Sequence, residues 1–280
     1  MFTKFRQALV VYRTKHLAGV EDRQVLLTGF NQHALANAKI IMIGAGGLGG
    51  EIGEGLVRKG IGCISLFDFD LVEISNLNRQ LFTEKDLGKP KSHCLARNLS
   101  KLGFLGSRIE GCSFSFQDAL QYGVDMTNNV TVVVCGVDNN PCRIAVSRYY
   151  REQKIPVVFT AVSRDASHGF VFVQEPDKAC FACQFPKAVH DETYHPCSPA
   201  VKDILKVVGG ISSYAIDSLL MDRLRTWNYK NVYLDGTIPG NDWLVPRRPD
   251  CTLCSSEHTE KQAVCSLTAA TPTGKTEGWV

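Results

Sequence analysis

No apolar run in this chain approaches the roughly twenty residues that a membrane-spanning helix needs, so no membrane partner is expected. Charge of one sign is also scarce. The 31 Lys and Arg against 28 Asp and Glu leave a formal +3, too little to argue for nucleic acid. No internal repeat is visible, and the N-terminus lacks the core of a secretion signal. Its apolar run covers only residues 8–11, too short for that role. Phe2, Phe5, Leu9 and Tyr12 instead share one helical face, and an amphipathic helix is expected over 1–17. A reducing, cytoplasmic setting is therefore expected. There the 11 cysteines point to metal binding or reactive thiols, not to disulfides.

What is present suffices for one large α/β domain or two small ones: 280 residues, 44% of them hydrophobic. The organising stretch is KIIMIGAGGLG at 39–49. A short apolar run closed by glycine predicts a buried parallel strand. Gly44, Gly46, Gly47 and Gly49 then allow a tight turn and a close backbone approach to a phosphate. The helix predicted over 51–59 would aim its first N–H groups at that phosphate. Strand, glycine turn and helix together imply a nucleotide in a Rossmann-like fold.

The next predicted strand, Cys63–Phe67, ends at Asp68, 19 residues after Gly49. An acid there can take hydrogen bonds from a ribose, a reading preferred over a plain turn aspartate. Asn76, Arg79 and Lys91 follow, three polar donors suited to a triphosphate: Arg79 as a fork, Lys91 as a point charge. Each taken singly reads as a surface residue. Pro90 suits the first turn of a helix through Leu102, which would put Lys91 near its positive end. Strands are expected at 109–114, 130–135, 156–162, 169–174 and 231–234. Asp138 follows the strand at 130–135, where ligands of open parallel sheets gather. It either holds a magnesium–phosphate complex or caps the helix predicted over 141–153. Spacing does not separate these two roles.

Two CxxC pairs, Cys180 with Cys183 and Cys251 with Cys254, supply four soft ligands. That is enough to close a tetrahedral zinc site with no position left for water, and so a structural one. Between the pairs, Cys197 precedes a helix whose expected cap is Ser198 and whose expected first residue is Pro199; Gly209 and Gly210 suggest a bend in it. A helix N-terminus favours the thiolate, so Cys197 reads either as a nucleophile or as an ordinary loop cysteine. The other unpaired cysteines in apolar segments, such as Cys63, Cys112 and Cys135, read as inert.

Taken together these segments resemble the ThiF/MoeB/HesA family, adenylyltransferases related to ubiquitin-activating enzymes. The resemblance runs from about Asp22 to Cys254. It is carried by Arg23-Gln24, GAGGLG at 44–49, the DFDxVxxSNLxRQ pattern at 68–80, GKPK at 88–91, Asp138-Asn139 and the two CxxC pairs. It implies an α/β fold: a Rossmann-like domain with a continuous mixed β-sheet flanked by helices, plus the four-cysteine zinc site. That domain would cover 31–254, after an N-terminal helical segment at 1–30 and before a loose tail at 255–280. The activity implied is ATP-dependent adenylation of the C-terminal Gly carboxylate of a small ubiquitin-like or sulfur-carrier protein. In that resemblance Asp68 binds ribose, Arg79 and Lys91 the phosphates, and Asp138 the Mg2+. Asp70 and Asn139 join the nucleotide-binding set. Arg23 and Asn76 reach the site of the opposite subunit of a homodimer, and Cys197 takes the acyl group as a thioester. The alternatives are activation of a small-molecule or tRNA carboxylate by a cyclising dehydratase, and an NAD-dependent oxidoreductase, which would leave Asn76, Arg79, Lys91 and the cysteine pairs idle.

Overall fold

Side chains that alternate across each strand divide the interior into two cores, one on either face of a single sheet. The computed structural model describes residues 8–191, 200–236 and 239–255. Within them run β1 (Leu9–Arg13), α1 (Gln32–Asn37), β2 (Lys39–Ile43), α2 (Gly47–Lys59), β3 (Cys63–Phe67), α3 (Lys91–Leu99), β4 (Arg108–Cys112) and α4 (Phe116–Gln121). After these come β5 (Val132–Cys135), α5 (Asn140–Glu152), β6 (Val157–Val162), β7 (His168–Gln174), α6 (Phe181–Gln184), α7 (Lys202–Leu220), β8 (Tyr229–Tyr233) and β9 (Asp242–Trp243).

Among the described residues the sheet has nine strands in the order β1-β4-β3-β2-β5-β6-β7-β8-β9. The stretch from β4 to β6 is parallel; β1 at one edge and β7, β8 and β9 at the other run antiparallel to their neighbours. The sheet is therefore continuous and mixed, as the family resemblance implied. Ile40 and Met42 enter the core under α2, α3 and α7, with Leu56, Leu99, Val134 and Val208. Ile41 and Ile43 enter the opposite core, with Phe116, Tyr150, Phe159, Phe172 and the four paired cysteines. Fully burying each such aliphatic or aromatic side chain contributes about 1.5–3 kcal/mol.

Two local expectations are corrected. Residues 9–13 form a strand, not part of a helix, paired from Leu9↔Cys112 to Arg13↔Arg108. Leu-Val-Val-Tyr is β-branched and aromatic, and β4 would otherwise leave a ladder edge open. This strand belongs to the same sheet as the rest. The helix expected to follow Ser198 begins at Lys202 with Val201 in the cap position. Ser198, Pro199 and Cys197 lie outside the described residues. Gly209 does not interrupt α7, which is a single helix over 202–220. Instead a Cβ there would stand 2.7 Å from the Glu51 Cβ, so the missing side chain lets α7 lie close against α2.

Candidate nucleotide-binding site and a four-cysteine cluster

The chain leaves β2 on one side of the sheet's centre, and after β4 it returns to β5 on the other side of β2. Between these two strand ends opens a cleft of about 470 Å³. Glycine lets the ends meet: Gly44 has φ +103°, and a Cβ on it would lie 3.1 Å from the Gly136 carbonyl oxygen. Gly49 closes the turn from below, where a Cβ would fall 2.4 Å from the Gly44 oxygen. Gly46 precedes α2 without a side-chain cap, and the first turn of α2 holds no acid. Its N–H groups and positive dipole end are thus offered to the cleft, a ready anion site.

Asp68 forms the floor at the end of β3. Its Oδ2 accepts from the Ala45 N–H at 2.7 Å and its Oδ1 from the Asp70 N–H at 2.9 Å. Burial pushes its carboxyl above the usual range, while those bonds and the nearby Lys91 charge pull the other way. The Lys91 ammonium lies 2.8 Å from Asp70 Oδ2, and its side chain is only 9% exposed against 47% for Asp70. Arg79 also lines the cleft, with Nη1 donating to the Ser75 carbonyl at 2.6 Å and to Asn78 Oδ1 at 3.0 Å.

The opposite wall is the exit of β5. Asn139, not Asp138, caps α5, its Oδ1 accepting from the Cys142 N–H at 2.9 Å. That leaves Asp138 exposed on the cleft wall. The structure therefore gathers Gly44, Gly46, Gly47, Asp68, Asp70, Arg79, Lys91, Asp138 and Asn139 around one hollow. It does not bring Arg23 or Asn76 to that wall. Arg23 is exposed elsewhere. Asn76 is 3% exposed, its Oδ1 accepting from the Glu73 N–H at 3.0 Å in a short 3₁₀ turn. Cys197 lies outside the described residues.

Among the lining residues given no role by the sequence, two hold a buried polar atom without a partner. Gln80 is buried with its Oε1 unpartnered. Arg143 is partly buried with its Nε sealed from solvent and unpartnered. The signal for Arg143 was its place on one helical stripe with Val146, Ser147 and Tyr150, where an arginine is out of character.

On the far face of the sheet the four paired cysteines converge. Cys180 lies 3.7 Å from Cys183 and 3.4 Å from Cys251, sulfur to sulfur, and Cys183 lies 3.5 Å from Cys254. Four thiolates around a tetrahedral zinc at about 2.3 Å stand about 3.8 Å apart, so the buried set fits a metal of that kind. The Cys183 thiol is held well below its ordinary value, first by the Cys180 thiol and also by the Arg248 N–H. Cys112 and Cys142, in contrast, are pushed up to about 11 by burial, which suits inert core thiols.

In open parallel sheets ligands collect where strand order reverses, and a glycine turn at that crevice places the molecule among the Rossmann-like α/β proteins. More narrowly, the chain belongs to the ThiF family, whose model matches residues 19–261. It is 29% identical over 272 residues to mouse "Adenylyltransferase and sulfurtransferase MOCS3", covering 89% of this chain and 56% of that protein. It is 27% identical over 252 residues to the Thermus thermophilus "Sulfur carrier protein adenylyltransferase", covering 83% of this chain and 88% of that one. The chain thus spans little more than half the length of its mouse relative. Among solved structures, E. coli MccB superposes with a TM-score of 0.71 at 21% identity, covering 85% of this chain and 74% of that one.

Proposed function

We propose that this protein is an ATP-dependent adenylyltransferase acting on the C-terminal glycine carboxylate of a small ubiquitin-like or sulfur-carrier protein. One observation carries the reading: the uncapped start of α2, with Lys91 and Arg79 beside it and Asp138 across from it, shares a single cleft. The names of the mouse and Thermus relatives support the same class. A carboxylate is a poor electrophile until its oxygen carries a better leaving group. Its attack on the α-phosphorus forms the acyl–O–P bond as the bond to the β-phosphate oxygen breaks, and pyrophosphate leaves with the electron pair. The protein's part is to position both reactants and to balance phosphate charge. Asp68 would take the ribose hydroxyls, Lys91 and Arg79 the phosphate oxygens, and Asp138 a magnesium ion, which supplies charge neutralisation when bound.

The cysteine cluster would hold structural zinc, with every ligand position filled by thiolate. A homodimer is part of the proposal: Arg23 is exposed away from its own cleft and is the residue a second copy would receive. The buried Asn76 is better read as a local brace. No helix among the described residues is long and apolar enough to cross a membrane, and a reducing cytoplasm suits the thiolate set. Cys197 is proposed from sequence alone as a thioester acceptor. A thiol-sensitive adduct with the carrier, lost in Cys197→Ala, supports that role; wild type that never forms one ends it.

The principal test is exchange of labelled pyrophosphate into ATP, with ubiquitin-fold proteins ending in Gly-Gly as probes. Exchange is expected with at least one probe and is lost when its terminal glycine is deleted. A protein whose ATP is never exchanged, but whose melting temperature rises with NAD, would overturn the reading.

A further inference from the structure

The turn that joins β5 to α5 is pinned at every residue around Asp138 but not at Asp138 itself. The Arg143 Nη2 donates to the Val137 carbonyl at 2.6 Å, and its Nη1 donates to Asn140 Oδ1 at 3.0 Å. Asn139 holds the helix N-terminus through the Cys142 N–H at 2.9 Å. The Asn140 Nδ2 donates in turn to Asp191 Oδ2 at 2.7 Å. Asp138 alone has no hydrogen-bond or ion-pair partner among the described residues, and it lines the cleft.

Arg143 is itself unusual. It makes no ion pair among the described residues, and its Nε is sealed from solvent without an acceptor. Desolvation works against its charge and outweighs the support it draws from Cys135 and from the Asp138 and Asp191 carboxylates. A guanidinium kept under those conditions is a poor stabilising element, since an unpaired cation removed from water is costly. Its fork does one geometrically specific thing, which is to bracket Asp138 from the residue before it and from the residue two after it.

We propose that Arg143 is a positioning residue that fixes the Gly136–Asn140 turn so that the unbonded Asp138 carboxylate is presented to a divalent cation on the nucleotide. The proposal rests on the adenylyltransferase reading for the identity of that nucleotide. It adds a specific division of labour. Lys91, Arg79 and Asp68 hold the nucleotide itself, and Arg143 acts only on the cation's ligand.

The test is calorimetric titration of ATP into wild type, Arg143→Met, Arg143→Lys and Asp138→Asn, each with and without magnesium, beside thermal unfolding. In wild type magnesium tightens ATP binding. Arg143→Met is expected to lose that magnesium-dependent gain by about tenfold or more, while magnesium-free ATP binding stays within about twofold. Its melting temperature should barely move, because the lost hydrogen bonds are offset by removal of an unpaired cation. Arg143→Lys keeps the charge without the fork and should behave like Arg143→Met. Combining Arg143→Met with Asp138→Asn should add no loss beyond Asp138→Asn alone. Equal loss of ATP affinity with and without magnesium would show that Arg143 holds the nucleotide directly and overturn the proposal. So would independent, additive losses in the double variant, or full rescue by lysine. Wild type that binds no ATP at all would instead sink the adenylyltransferase reading.

Discussion

The cleft and two buried networks behind it treat their polar groups in opposite ways. On the cleft, Asp68 is pushed up by burial, Gln80 Oε1 and Arg143 Nε lack partners, and Asp138 is left unbonded among the described residues. Behind it, Asp86 is fully buried yet accepts from the Thr83 N–H and hydroxyl, from Asn98 and from Arg97. Under the sheet, buried Ser147 and Gln174 bond to each other and to the Phe181 N–H, fixing the start of the first CxxC turn. The cleft thus carries unmet polar demand where a ligand would arrive, whereas the Asp86 and Gln174 networks are satisfied; Thr14, Glu21 and Ser107 also hold unpartnered buried oxygens, away from the cleft.

The largest effect should come from breaking a satisfied element. If zinc closes the cysteine cluster, its binding contributes on the order of 10 kcal/mol to folding. Cys251→Ser, or a strong chelator, should then unfold the protein or lower its melting temperature by well over about 10 °C. Whatever remains folded should still bind ATP normally. Elemental analysis should find one zinc per chain, and a stably folded metal-free protein with four reduced thiols would break the comparison at this end. The next effect belongs to the cleft. Lys91→Ala should lower pyrophosphate exchange by about 100- to 1,000-fold and leave stability within about 1 kcal/mol, because the stranded Asp70 is 47% exposed. Near-normal exchange in Lys91→Ala, or in Asp138→Ala, would remove that residue from the mechanism.

How far the site was legible depended on how local its physics is. The glycine turn, Asp68 and Lys91 could be read because strand, turn and helix start are contiguous in sequence. The cysteine cluster could be read because two CxxC pairs carry their chemistry wherever the fold puts them, and the folded chain did bring all four sulfurs together. The edge strand β1 could not. Leu9 and Tyr12 satisfy a helical spacing, and only the open edge of β4, about a hundred residues away, selects the strand. Asp138 and Asn139 are adjacent and both are good helix caps. The choice falls to backbone geometry, since Asn139 sits extended at φ −120° and ψ 140° directly before the helix. The contacts that Arg143 makes with the turn are ones no spacing rule displays.

The smallest and sharpest test sets Asp86 against Asp68 through the pH dependence of stability. Burial alone would raise the Asp86 carboxyl, but the bonds from Thr83, Asn98 and Arg97 outweigh it and hold the group below 3.8. A lowered value means the unfolded chain binds the proton more readily. The stabilisation from Asp86 is therefore complete above about pH 4 and fades as pH falls through the folded value. Asp86→Asn should cost about 1.5–3 kcal/mol near neutrality, and its deficit against wild type should shrink in acid. Asp68 has the opposite sign: burial raises it above 3.8, so the folded chain binds the proton first and wild type gains relative stability as pH falls through that raised value. The deficit of Asp68→Asn should therefore grow toward acid, at pH values above those where the Asp86 effect appears. Thermal melts of both variants between about pH 3 and 7 read this directly. Parallel slopes for the two variants would mean that the strain assigned to the cleft floor is not there.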